Sequence, residues 1–170
     1  ALGTPYLRDC LGEGTNGKCD HDPLIDFTKV DCLTFCEQIL ALSISGDYRS
    51  TSRNLQKIRY LNGTIGFAYR NHFVMADWVP HNRWLLKDVT EEKGGSACRK
   101  MVKIIDRRAF AVSRGYTDVD IFPPPQRMQI RYLPKDQLLM TVPKLSGSEI
   151  MVFITTRKGI FASHLGFIIN

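Results

Sequence analysis

A chain of 170 residues, 44% hydrophobic and 24% charged, is long enough for one domain with a substantial buried core and too apolar to be disordered. Its net charge of +6 suits anionic surroundings, but Lys and Arg are scattered without a dense run, so a nucleic-acid partner is not expected. No stretch nears the ~18 consecutive apolar residues of a membrane-crossing helix, and no charged-then-apolar signal peptide opens the chain, so stable membrane insertion is not expected either.

Residues 1–31, rich in Gly, Asp and Pro, read as loop and turn. From Cys32 to about Ser45, the apolar Leu33, Cys36, Ile39, Leu40, Leu42 and Ile44 recur at helical spacing, and Ser45-Gly46-Asp47 supplies the stop. A second, more polar helix is expected over Ser52 to Arg59, with short extended pieces at Gly66 to Tyr69 and Phe73 to Met75 and a loop or short helix over Trp78 to Trp84. Residues 96–110 suit a helix or an edge strand, and Pro123-Pro124-Pro125 breaks any regular element. Met128 to Leu133 alternates as a strand, Pro134 to Leu139 opens like a short helix, and Ile150 to Thr155 and Phe161 to Ile169 form a hairpin about Thr156 to Gly159. A loop-rich front, a helix bearing Cys32 and a C-terminal antiparallel sheet give the α+β class, in a single catalytic domain over residues 1–170. The Ala at the start and the sheet-like Phe167-Ile168-Ile169-Asn170 at the end are the marks of a processed or trimmed chain.

Five cysteines, Cys10, Cys19, Cys32, Cys36 and Cys98, make an odd count, so one at least lies outside any intrachain disulfide, and Cys32 is the choice. Cys10 and Cys19 bracket a loop that a disulfide would staple in an oxidising compartment, or they stand as thiols; both readings stay open. A thiol where a turn gives way to a helix is a candidate nucleophile, because unpaired first-turn N–H groups and the helix dipole favour thiolate and lower the pKa. It requires a base, and His164, on the last strand between Ser163 and Leu165-Gly166, fits that part if its ring faces the thiol; Gly166 would let the helix approach the sheet. His72, Asp77 and His81 can be drawn as a metal site, but their spacing is irregular, and neither metal nor cofactor is expected.

Leu2-Gly3-Thr4-Pro5-Tyr6, Asp31-Cys32 opening a helix and Ser163-His164-Leu165-Gly166 on a late strand resemble the papain-like cell-wall amidases and peptidases of the NlpC superfamily. Ile58-Arg59-Tyr60-x-x-Gly63, Tyr69-Arg70-Asn71-His72-Phe73, Ala76-Asp77-Trp78 and Tyr132-Leu133-Pro134-Lys135 resemble its N-acetylmuramoyl-L-alanine amidase-like branch, so the likeness spans residues 2–169. It implies a papain-like core, Cys32 attacking the amide between the lactyl group of muramic acid and L-alanine, His164 relaying the proton, and the Tyr6 hydroxyl beside the thiol. Tyr6, Asp31, Arg70, Asn71, His72, Asp77 and Trp78 are the candidate substrate contacts: Tyr6 to orient the nucleophile or the substrate, Arg70 for a carboxylate of the stem peptide, Trp78 or Trp84 for a sugar face.

Two departures stand out. The superfamily carries a third polar residue, in this branch a histidine, on the strand after His164, which this sequence does not contain; His72 is a substitute. Ser148-Glu149 also stands where Gly-Asp is common. The resemblance implies a periplasmic or secreted enzyme of the bacterial envelope whose partners are peptidoglycan fragments. Its rivals are a peptidase cutting between D-glutamate and the diamino acid and a non-catalytic binder of muropeptides.

Overall fold

The computed structural model describes residues 3–8, 10–17 and 19–169, so Leu2 and Asn170 of the motifs above lie outside the described residues. Ahead of the first helix, a parallel bridge pairs Tyr6 with Val30, closed by the Leu7 N–H donating to the Val30 carbonyl and the Val30 N–H donating to that of Pro5. Helix α1 (Cys32–Ser43) opens on a capping box: the Asp31 carboxylate accepts from the Thr34 backbone N–H at 2.7 Å, while the Thr34 hydroxyl accepts from the Asp31 N–H at 2.9 Å. Helix α2 (Tyr48–Arg59) opens four residues before the expected start, because Asp47 and Ser50 form a second capping box. Val79–His81 (α3) and Thr90–Gly94 (α4) are single turns. The ambiguous segment divides at Asp106 into strand β1 (Arg99–Ile105) and helix α5 (Arg107–Ser113), the Asp106 carboxylate capping the helix through the Ala109 N–H. Strand β2 (Gln126–Tyr132) pairs antiparallel with β1; after the short α6 (Leu138–Thr141), β3 (Ile150–Ile154) and β4 (Ala162–Phe167) form a second antiparallel hairpin.

The extended pieces expected around His72 are not strands. Phe67–Tyr69 is a 3₁₀ turn and Val74–Trp78 a π-helical turn, where the Phe73 carbonyl accepts from the N–H groups of Ala76, Asp77 and Trp78.

Three apolar clusters hold these elements. Leu33, Cys36 and Ala41 of α1, Leu55 and Ile58 of α2, Trp78 and Leu165 of β4 form the one beneath the thiol. Phe73, Ala76, Ile105, Ile130 and Phe161 join the two hairpins, and Phe67, Ala111 and Phe122 gather under α5. Through the first cluster runs a buried charge network: Glu37 receives Arg59 Nε at 2.7 Å and Arg70 Nη2 at 3.4 Å, with all three side chains at most 2% exposed. Arg59 also donates to the carbonyls of Gly12 and Leu24, and the Tyr60 hydroxyl to that of Gly12. Gly12 has φ +68°, and a Cβ there would lie 2.5 Å from Arg59 Nη1, so only glycine suits the place where the front loop meets the arginine.

Removing the anion leaves two guanidinium groups buried without a counter-charge. Glu37→Gln is therefore expected to lower the unfolding free energy by about 3–5 kcal/mol, read from urea unfolding curves; an unchanged midpoint would show that the network is not a support of the fold.

Candidate active site

Cys32 is the first residue of α1, half-buried, one turn above the fully buried Cys36. Its sulfur lies within reach of three donors: the Leu165 backbone N–H on β4, the Tyr6 hydroxyl and its own backbone N–H. Each element arrives for a local reason. The Asp31 cap starts the helix at the thiol, the Tyr6 to Val30 bridge lays the front loop over it, and Leu165, 2% exposed, fastens β4 to α1. Phe35 and Phe167 meet edge-on at 6.2 Å to extend the same contact.

The thiol does not sit below its ordinary pKa. Burial raises it and the Asp31 carboxylate raises it further, outweighing the Leu165 N–H, the Tyr6 hydroxyl and the Cys32 N–H, which pull the other way. The expected helix-start activation is thus reversed, because the capping carboxylate brings a negative charge to the donor-rich end. Burial also raises the Asp31 and Tyr6 groups, and it drives Cys36 to about 12, which keeps that thiol protonated and inert.

His164 stands on β4 opposite Phe153. Side chains alternate along a strand, so Leu165 and Phe167 turn to α1 while His164 and Gly166 face the other way. The imidazole is exposed, with its ring centroid 6.3 Å from Tyr6 and 5.9 Å from Phe153. Tyr6 is therefore the group that touches both: its hydroxyl reaches the sulfur and its ring lies beside the imidazole. Among the described residues no hydrogen bond joins the thiol to His164 or holds the His164 ring. Gly166 does not serve close helix approach either, since a Cβ there meets open space.

The candidate substrate contacts have other work. Asp31 caps α1. Arg70 is buried on Glu37. Asn71, 1% exposed, donates to the Ile58 carbonyl and meets His81 Nδ1 at 2.6 Å. His72 meets the Phe67 carbonyl at 2.8 Å; burial, then the Arg70 charge, lowers its pKa to about 3, so it is a neutral structural group. Asp77 accepts from Arg107 and from the Phe73 N–H, and Trp78 is core. Their hydrogen bonds and charges are spent inside the protein, a commitment which their polar types concealed. Among the described residues no group of three or more His, Cys, Asp or Glu is placed to hold a metal ion. The Cys10 thiol donates to the Leu7 carbonyl at 3.2 Å, and no disulfide joins it to Cys19.

A family model described as N-acetylmuramoyl-L-alanine amidase-like matches residues 1–170. The chain belongs to this AmiA-like family. Solved structures share the fold of the amidase-like chain. A Legionella pneumophila protein matched to family model DUF1460 is 22% identical with a TM-score of 0.85, covering 98% of this chain and 70% of its own. An N-acetylmuramoyl-L-alanine amidase from Bacteroides uniformis is 24% identical, TM-score 0.73, covering 96% and 75%. A Bacteroides fragilis protein provisionally named a xylanase is 26% identical, TM-score 0.74, covering 97% and 77%. Comparison with curated proteins finds no match.

Reasoning from residue types missed the Leu165 N–H, because a backbone donor has no signature in the sequence. It also missed Phe153, which becomes a wall of the site only through the register of β3 with β4. The electrostatics give a directional test. Asp31→Asn keeps a capping side chain but removes a charge that raises the thiol, so Cys32 should alkylate with iodoacetamide at lower pH than in the parent. Tyr6→Phe removes a donor to the sulfur and should move the profile to higher pH. Rate against pH for both variants checks the account, and shifts of the opposite sign would refute it.

Proposed function

We propose that the protein is a cysteine amidase of the bacterial envelope that cuts the amide between N-acetylmuramic acid and L-alanine in muramyl peptides. The observation that carries this reading is the juxtaposition of Cys32, at the head of α1, with Tyr6 and the His164 strand, in a chain whose whole length matches the amidase-like family. The packing of α1 on β4 supports a papain-like core, with the thiol at the head of a helix and the imidazole on the strand packed against it.

In this mechanism the Cys32 sulfur attacks the lactyl carbonyl and its proton passes to His164. The tetrahedral oxyanion forms at the helix start, where the Cys32 N–H is placed to receive it, a contribution of roughly 3 kcal/mol for one well-set donor. The C–N bond breaks, His164 gives the proton to the departing L-alanine amine, and the muramyl acyl group is left as a thioester on Cys32. His164 then takes a proton from water, whose oxygen displaces the sulfur and frees the lactyl carboxylate, and His164 returns that proton to the departing sulfur to restore the thiol. The resting thiol is neutral and Tyr6 is its polar neighbour, so substrate binding has to bring the imidazole to the sulfur; catalytic hydrogen bonds commonly tighten only in the complex. A glycosidase would instead require two carboxyl groups flanking the scissile bond, and the carboxyl beside the thiol, Asp31, is held by Thr34.

We place the enzyme, on this reading, in the periplasm or outside the cell, where peptidoglycan lies, and acyl transfer through a thiol and an imidazole calls for neither metal nor cofactor. Cleavage inside the stem, between D-glutamate and the diamino acid, is the rival, and the products separate the two. Incubation with a defined muramyl tetrapeptide, followed by mass spectrometry, is expected to release intact tetrapeptide from the parent and none from Cys32→Ala. Fragments cut within the stem would move the activity to the rival, and no product from the parent would reduce the protein to a binder.

A further inference from the structure

From Tyr48 to Ala76 the sequence holds no acidic residue, while α2 bears Arg49, Arg53, Lys57 and Arg59. Arg59 turns inward to Glu37. Arg49, Arg53 and Lys57 lie four residues apart, so they form one stripe on the solvent side of the helix, with about 6 Å between successive positions. All three are exposed, and among the described residues none is in an ion pair. Like charges at this spacing oppose each other and destabilise a helix. An acid at one intervening turn would relieve that cost, and none is present. The nearest acid along the chain, Asp47, is engaged as the helix cap by Ser50, although it feels the Arg53 charge.

Beside the stripe runs an open groove of about 440 Å³ lined by Ser50, Arg53, Asn54, Gln56, Lys57 and Asn62. Asn54 spends its amide donor on the Ser45 hydroxyl but keeps its carbonyl, and Asn62 stands on a left-handed turn at φ 54°. At the far end the Lys57 ammonium lies 3.7 Å from the centroid of Trp84, an indole 44% exposed. The amides of Gln56 and Asn62, which can both donate and accept, next to a half-exposed aromatic, suit sugar hydroxyls and acetamido groups. Three cations without an aromatic row or a dense basic run are few for a phosphate backbone, and the groove has no apolar rim for a bilayer.

We propose that the α2 groove binds an anionic glycan, namely a glycan strand whose muramic residues carry free lactyl carboxylates. The identity of this occupant rests on the amidase reading, since removal of the stem peptide turns each lactyl amide into a carboxylate borne by the glycan itself. The groove would hold the stripped strand against the enzyme while neighbouring stems are cut.

The test is fluorescence anisotropy with end-labelled strands already stripped of peptide, with an uncharged chitin oligosaccharide of equal length, and with a single-stranded oligonucleotide. The parent is compared with Arg53→Glu/Lys57→Glu, surface changes whose fold circular dichroism checks. The stripped strand is expected to bind the parent, to weaken as salt rises and to lose at least about tenfold in affinity in the double variant, equivalent to about 1.4 kcal/mol, with turnover of a soluble muramyl tetrapeptide unchanged. Equal affinity of parent and variant, equal affinity for the uncharged strand, or tighter binding of the oligonucleotide would overturn the proposal. Binding of the stripped strand by a parent that turns over no muramyl peptide would uphold the groove and refute the amidase reading alone.

Discussion

The Glu37 carboxylate is the point on which the rest of this structure turns. An unpaired anion in an apolar core is too costly to keep, so a charged Glu37 on the inner face of α1 requires cations to reach it. Arg59 comes from the end of α2 and Arg70 from the turn beyond, and Arg59 spends its remaining donors on Gly12 and Leu24. One carboxylate therefore joins α1, α2 and the front loop. That loop carries Tyr6 to the thiol, so the geometry of the candidate site depends on a charge network one helical turn below it.

The site also shows how a helix cap can act against the chemistry expected of it. Asp31 is a good cap because its carboxylate satisfies the Thr34 N–H, and that same charge raises the neighbouring thiol. The free protein thus holds Cys32 neutral, with Tyr6 and the Leu165 N–H aimed at the sulfur and His164 exposed on the other face of β4.

Elements with strong local signals were legible. Helical periodicity marked α1, the β-branched run of β3 and the turn after it marked the second hairpin, and the alternation of Met128 to Leu133 marked β2. The early start of α2 was written in the Asp47 and Ser50 pair, but a capping box beside a polar stretch is easily taken for loop. Residues 66–69 and 73–75 misled because Phe, Tyr and Val have strand propensity, whereas here Phe67 and Phe73 are buried on 3₁₀ and π turns whose polar neighbours satisfy buried backbone. Burial is a long-range property. Arg70, Asn71 and Asp77 look like recognition residues by type, and only the approach of Glu37, Ile58 and Arg107 shows that their hydrogen bonds are spent inside. Cys32 and the strand of His164 were identified by pattern and resemblance, while the face on which the imidazole stands depended on strand register.

Whether Cys32 takes the muramyl acyl group from the amide is decided by intact-mass spectrometry of the protein quenched in acid during turnover of a muramyl peptide. The account predicts a thioester adduct on Cys32 with the mass of the muramyl acyl group, sensitive to hydroxylamine and absent from Cys32→Ala. An adduct carrying part of the stem peptide, or turnover by a protein that lacks the Cys32 thiol, would contradict it.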